Sequence, residues 1–139
     1  MRSPDNHNIL ALDVGDARVG VAIANPIARI PNPLTILANG PKIFHEIQAL
    51  IREHDVRTVV IGLPRNMKGE ETAQTEASRR FADKLEEYTD AELVFADESL
   101  SSKRAEEDRS RRGRGPAEHL DDVAACFILE EHFLRNQDD

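Results

Sequence analysis

Two apolar runs joined by a tight turn constrain this chain more than anything else in it. The first is Asn8-Ile9-Leu10-Ala11-Leu12-Asp13-Val14-Gly15 and the second is Arg18-Val19-Gly20-Val21-Ala22-Ile23-Ala24. They read as a strand, a hairpin turn and a strand returning beside it. A strand that is apolar at nearly every position is covered on both faces, so the first one belongs in the middle of a sheet. Asp13 then stands at the sheet's rim on a rigid backbone, and Gly15 lets another group or a substrate backbone come close. An acid so placed suits a metal-binding carboxylate, although an aspartate at a strand end is also a common turn former.

The rest of the chain supplies what such a hairpin needs to be buried. A proline-interrupted segment, residues 28–37, reads as an edge strand, because Pro33 cannot donate to a ladder on both sides. Gly40-Pro41 opens a helix whose apolar stripe is Ile43, Phe44, Ile47, Leu50 and Ile51, ending near Asp55. A short buried strand follows over residues 56–61, then Gly62-Leu63-Pro64 and a turn or loop over residues 65–69. The spacing of Ala73, Ala77, Phe81, Leu85 and Tyr88 predicts a helix over residues 70–88 with those residues inward. A fifth strand, residues 91–96, ends in the acidic pair Asp97-Glu98. Ser101 or Ser102 can cap a further helix running towards Asp108, and an Arg/Gly run over residues 109–116 breaks it into a basic loop. The last helix spans about residues 117–135, with Leu120, Val123, Ala124, Phe127, Ile128 and Leu134 inward. The order βββαβαβαα implies an α/β fold: a five-stranded mixed sheet, antiparallel then parallel, with helices on both faces.

A chain of 139 residues is one domain's worth, so residues 1–139 are read as a single unit. No apolar run approaches the roughly 18 residues of a membrane span, and Met1 to Asn8 is polar, so a cytoplasmic protein with no membrane partner is expected. The lone Cys126 allows no internal disulfide and no cysteine-based zinc site, and the five histidines show no ligand spacing and fit surface roles. A formal charge of −8 argues globally against opportunistic binding of nucleic acid. Its distribution argues otherwise: Lys103, Arg104, Arg109, Arg111, Arg112 and Arg114 form the one strong cationic stretch.

Sites in open α/β sheets lie outside the carboxyl ends of the parallel strands, where Asp13 and Asp97-Glu98 both fall. A third acid can join them from the start of the last helix, where Asp121 and Asp122 precede the small pair Ala124-Ala125 that would let the helix approach the sheet. Aspartates in a first helical turn also complement the helix dipole, and periodicity alone does not choose between the two. Three hard oxygen ligands from separate elements describe a Mg²⁺ or Mn²⁺ site better than a zinc site. Two such ions about 4 Å apart clamp an in-line attack on a phosphodiester, which points to a nuclease.

Four segments, in order and spacing, also resemble the YqgF/RuvX family: Leu12-Asp13-Val14-Gly15 with Arg18-Val19-Gly20-Val21-Ala22; Gly62-Leu63-Pro64 with Met67 and Gly69; Asp97-Glu98-Ser99-Leu100-Ser101; and Asp121 with Ala124-Ala125 and Ile128-Leu129. The resemblance covers residues 9–134. It implies an RNase H-like fold related to the Holliday junction resolvase RuvC, and a divalent-metal nuclease linked to 5′-end maturation of pre-16S rRNA and to junction resolution. Carried over by position, the family's acids fall on Asp13, Glu98 and Asp121, leaving Asp97 and Asp122 as accessory. This chain departs where Ser99 stands in place of the family's common Arg, and where Glu118 and His119 stand in place of a Lys. Phosphate contacts are then expected from Gly15, Arg18, Lys103, Arg104 and the Arg109 to Arg114 loop.

Three functions follow as expectations. The first is a metal-dependent endonuclease on structured RNA, pre-16S rRNA in particular. The second keeps the chemistry on branched, four-way DNA, which requires a symmetric homodimer to cut two strands rather than a monomer. The third is a nucleic-acid-binding module without catalysis, against which stands the repulsion among three converging carboxylates unless a cation offsets it. An Asp-x-Gly hairpin also opens actin-like ATPases, but those need two such domains and this chain has one.

Overall fold

A computed structural model describes residues 7–97 and 120–135, the latter without the side chains of residues 120–123. Five strands and three helices follow in the order β1 (Asn8–Val14), β2 (Arg18–Ala24), β3 (Asn32–Ala38), α1 (Ile43–Glu53), β4 (Val56–Leu63), α2 (Ala73–Leu85), β5 (Glu92–Asp97) and α3 (Leu120–Arg135). The strands form one sheet in the order β3-β2-β1-β4-β5. The β1/β2 and β2/β3 pairs are antiparallel, while β4 runs parallel to both β1 and β5. The expected mixed sheet with β1 at its centre is therefore present. The carboxyl ends of β1, β4 and β5 share one edge with the start of β2.

Strand alternation sorts the sheet's side chains into two unlike cores. On one face Leu10, Leu12, Val14, Val19, Val21, Val59 and Ile61 pack against Ile43, Ile47 and Ile51 of α1 and Phe81, Ala82 and Leu85 of α2. On the other, Ile9, Ala11, Ala22, Ala24, Val60 and Ala96 pack against Ala125, Ile128 and Leu129 of α3. Large side chains hold α1 and α2 off the sheet by a full layer, whereas the alanine-rich face lets α3 lie close. Helix α3 crosses principally β2 and β1.

Several expectations change in detail: α1 begins at Ile43 rather than at Pro41, and α2 spans Ala73–Leu85 rather than residues 70–88. The edge strand begins at Asn32 rather than Ala28, because Asn25 folds the chain into a turn first. Its Oδ1 accepts from the Ile27 and Ala28 amides at 2.8 and 3.3 Å, and its carbonyl accepts from the Arg29 amide at 2.8 Å. The inner face of α2 is Thr75, Ser78, Phe81, Ala82 and Leu85, so Ala73 lies exposed instead of inward. Thr75 can be buried because its hydroxyl donates to the Pro64 carbonyl and accepts from the Thr72 amide at 2.9 Å. Leu134, expected inward, is 55% exposed at the end of α3. The expected helix towards Asp108 and the basic loop over residues 109–116 lie outside the described residues.

Candidate active site

Alternation along β1 fixes the face of its acid. Leu12 and Val14 point into the α1/α2 core and Ala11 into the α3 core, so Asp13 shares the α3 face. Its cross-strand partner is Gly20, so the residue directly opposite has no side chain. Asp13 is half-buried.

The direction of α3 shows in the surroundings of its far end. The Arg29 guanidinium, which follows β2, lies 5.7 Å from the centre of the Phe133 ring. Burial holds the His132 imidazole below its usual pKa, and Glu92, at the start of β5, pushes the other way, which places His132 near that strand's beginning. Ala24 at the end of β2 pairs with Ile9 at the start of β1, so both contacts mark the edge opposite Asp13. The 16 residues of α3 span about 24 Å and the seven of β1 about 23 Å. The first described turn of α3, carrying Asp121 and Asp122, therefore falls at the Asp13 edge. The depth of approach comes from Ala124 and Ala125, 6% and 0% exposed.

The second strand end separates the two acids that close it. In β5, Ala96 belongs to the α3 core and Leu93 packs with the α1/α2 core, so Asp97 points to the latter side. There the Arg65 Nε lies 3.5 Å from its Oδ2. Glu98, the next residue in the chain, lies outside the described residues, as do Lys103, Arg104, Arg109, Arg111, Arg112 and Arg114. Among the described residues no three His, Cys, Asp or Glu side chains gather as a metal cluster. Asp13 belongs to those residues, whereas Glu98 and the Asp121 side chain do not.

Gly15 has a specific structural reason. A Cβ there would stand 2.9 Å from the Arg18 carbonyl oxygen, which already accepts the Gly15 amide at 2.9 Å. The close approach is thus by the hairpin's own backbone. Arg18 opens β2 at the same edge with its side chain exposed. Two amides that sequence reading missed clamp this turn: Asn39 Nδ2 donates to the Gly15 carbonyl at 2.8 Å, and Gln74 Nε2 to the Val14 carbonyl at 2.7 Å. Arg65 was also missed, although a basic residue directly after a strand ending in Gly62-Leu63-Pro64 was a readable signal. His7, expected on the surface, is only 12% exposed, its Nδ1 lying 3.1 Å from Asp55 Oδ2.

The strand order, the mixed pairing and the helix across the Asp13 face define an RNase H-like fold. Solved structures of that class superpose along nearly the whole chain. RuvC of T. thermophilus, bound to a Holliday junction substrate, aligns with a TM-score of 0.54 at 12% identity, covering 94% of this chain and 96% of that one. The fowlpox virus resolvase in complex with Holliday junction DNA gives 0.54 at 10% identity over 94% and 98%. Within the class the chain belongs to the RuvX family, whose model, described as a Holliday junction resolvase, matches residues 7–135. Relatives provisionally named pre-16S rRNA nuclease include one from Sulfurihydrogenibium sp. (strain YO3AOP1), 35% identical over 91% of this chain and 90% of that protein. Another, from Chloroflexus aurantiacus, is 41% identical over 89% and 84%.

Proposed function

We propose that this chain is a divalent-metal-dependent endonuclease that hydrolyses phosphodiester bonds in structured nucleic acid, with 5′-end maturation of pre-16S rRNA as its role. One observation carries the reading: Asp13 and the first turn of α3 come to the same edge and the same face of the sheet. Glu98 follows β5 at that edge by sequence position. Asp97, which precedes it, faces the other way from Asp13.

Asp13, Glu98 and Asp121 would hold Mg²⁺ or Mn²⁺, and a half-buried carboxylate opposite a glycine is the kind of hard oxygen donor such an ion takes. When bound, the metal supplies charge for the scissile phosphate and lowers the pKa of water. The chain's own residues do the positioning. Strand β1 is paired on both sides, Asp13 itself opposite Gly20 of β2, and the exposed Arg18 stands at the same edge to meet a phosphate.

Family membership and the likeness to resolvases favour a second reading, in which the same site cuts four-way DNA and a homodimer supplies the second cut. The test offers precursor 16S rRNA and a synthetic four-way junction in parallel, with Mg²⁺ or Mn²⁺, to the protein and to its Asp13→Asn and Asp121→Asn variants. Cleavage of the rRNA alone, lost in both variants, is the expected result. Cleavage of the junction alone selects the second reading, and cleavage that survives both substitutions overturns the site.

A further inference from the structure

The loop between β4 and α2 is built more firmly than a connection requires. Arg65 and Glu71 form an isolated antiparallel bridge. Inside it, Asn66 Oδ1 accepts from the amides of Lys68 and Glu70, each at 2.9 Å, and Asn66 Nδ2 donates to Glu70 Oε1 at 2.9 Å. The Gly69 amide donates to the Asn66 carbonyl at 2.9 Å, with Gly69 at φ 78° completing the turn. The base is tied by a chain of charges. Arg79 grips Glu71 through its two terminal guanidinium nitrogens, and Arg65 reaches Glu71 at 3.6 Å and Asp97 at 3.5 Å. None of these bonds uses the side chains of Met67 or Lys68 at the tip. Met67 is 104% exposed, more than any other large apolar side chain among the described residues, and Lys68 is exposed beside it.

A lone exposed apolar residue by itself needs no explanation. Here the tip is held in advance, and the loop leaves β4 between the ends of β1 and β5, at the edge that carries Asp13. An unbranched, polarisable thioether beside an ammonium matches one surface well: the face of an unstacked nucleobase next to its phosphate.

We propose that Met67 is a substrate-positioning wedge, stacking on the base exposed where strands separate in a structured nucleic acid, with Lys68 on the adjoining phosphate. It would seat the branch or helix end relative to Asp13. The proposal rests on the nuclease reading above, and its test keeps the two apart.

The full chain and its Met67→Ala and Met67→Leu variants are titrated, with Ca²⁺ replacing Mg²⁺, against three probes. These are a four-way DNA junction with 2-aminopurine at the branch, an RNA hairpin with a 5′ single strand and 2-aminopurine at the helix end, and a linear duplex. The protein and Met67→Leu are expected to raise the fluorescence of one branched probe and to prefer it over duplex. Met67→Ala is expected to lose the rise and up to about tenfold in affinity for that probe, with duplex affinity and melting temperature unchanged. Which probe responds identifies DNA or RNA. Met67→Ala behaving like the unmodified protein overturns the wedge alone. Failure of the unmodified protein to bind any probe overturns the nuclease reading and the wedge with it.

Discussion

Replacing Gly15 by alanine tests the geometry that presents Asp13. The new Cβ would lie 2.9 Å from the backbone oxygen of Arg18, where ordinary contacts begin at 3.4 Å, so the hairpin must open by about half an ångström. That oxygen also accepts the Gly15 amide, so opening the turn weakens the bond that closes it. Overpacking of this kind costs about 1–3 kcal/mol. A weakened hydrogen bond adds about 1 kcal/mol, and the two overlap because one movement relieves both. A net loss of about 2 kcal/mol is expected, which for a chain of this length lowers Tm by about 6–10 °C. Asp13 lies two residues upstream. Misplacing a catalytic group by 1 Å costs about a hundredfold, so half that displacement predicts cleavage slower by about tenfold at a temperature where both proteins are folded. Gly40→Ala is the matched control, because a Cβ there meets nothing within 4 Å. Urea titration and initial cleavage rates read the two effects separately. A Gly15→Ala protein with unchanged midpoint and unchanged rate would refute the steric argument. Lower stability at full rate would refute the link to Asp13.

Other perturbations probe the same frame. Ala125→Leu, at a residue 0% exposed between α3 and the alanine face, should push the helix outward, destabilising by about 1–3 kcal/mol and lowering cleavage beyond what unfolding explains; full activity would show that α3 need not lie close. Thr75→Val keeps the shape but leaves the Pro64 carbonyl and the Thr72 amide without their partner, so urea unfolding should show a loss of about 1–3 kcal/mol, and a neutral result would mean water replaces the hydroxyl. Burial holds the His132 pKa below its unfolded value of about 6.5, so the unfolded chain takes up the proton first and stability should fall as pH drops below about 6.5. His132→Asn should flatten that slope, and an unchanged slope would assign it to other groups.

Much of this arrangement was legible because it depends on the pattern of apolar residues. Near-continuous apolar runs marked the central hairpin of β1 and β2, and recurrence every four residues marked Ile43, Ile47 and Ile51 in the buried stripe of α1. What escaped depends on hydrogen bonds formed by folding. Thr75 and Ser78 look like surface residues until Thr75's hydroxyl is seen to find Pro64, and Asn25 gives no sign in sequence that its side chain will delay β3. At the site, the residue types pointed to Asp13 and to the start of α3. Strand alternation could have separated Asp97 from Glu98: counting from Leu93, which faces α1 and α2, Asp97 falls on the wrong side for Asp13. The clamps from Asn39 and Gln74 had no sequence signal, since they join elements 24 and 60 residues apart.

The proposed nuclease stands on one metal site that joins Asp13, Glu98 and Asp121 across three elements, with Asp97 on a different face. Calorimetric titration of Mn²⁺ into the protein and into Asp13→Asn, Glu98→Gln, Asp121→Asn and Asp97→Asn tests it most directly. The account predicts that the first three substitutions each abolish or severely weaken binding and that Asp97→Asn binds as the unmodified protein does. Retained binding in Asp13→Asn, or loss in Asp97→Asn alone, would contradict it.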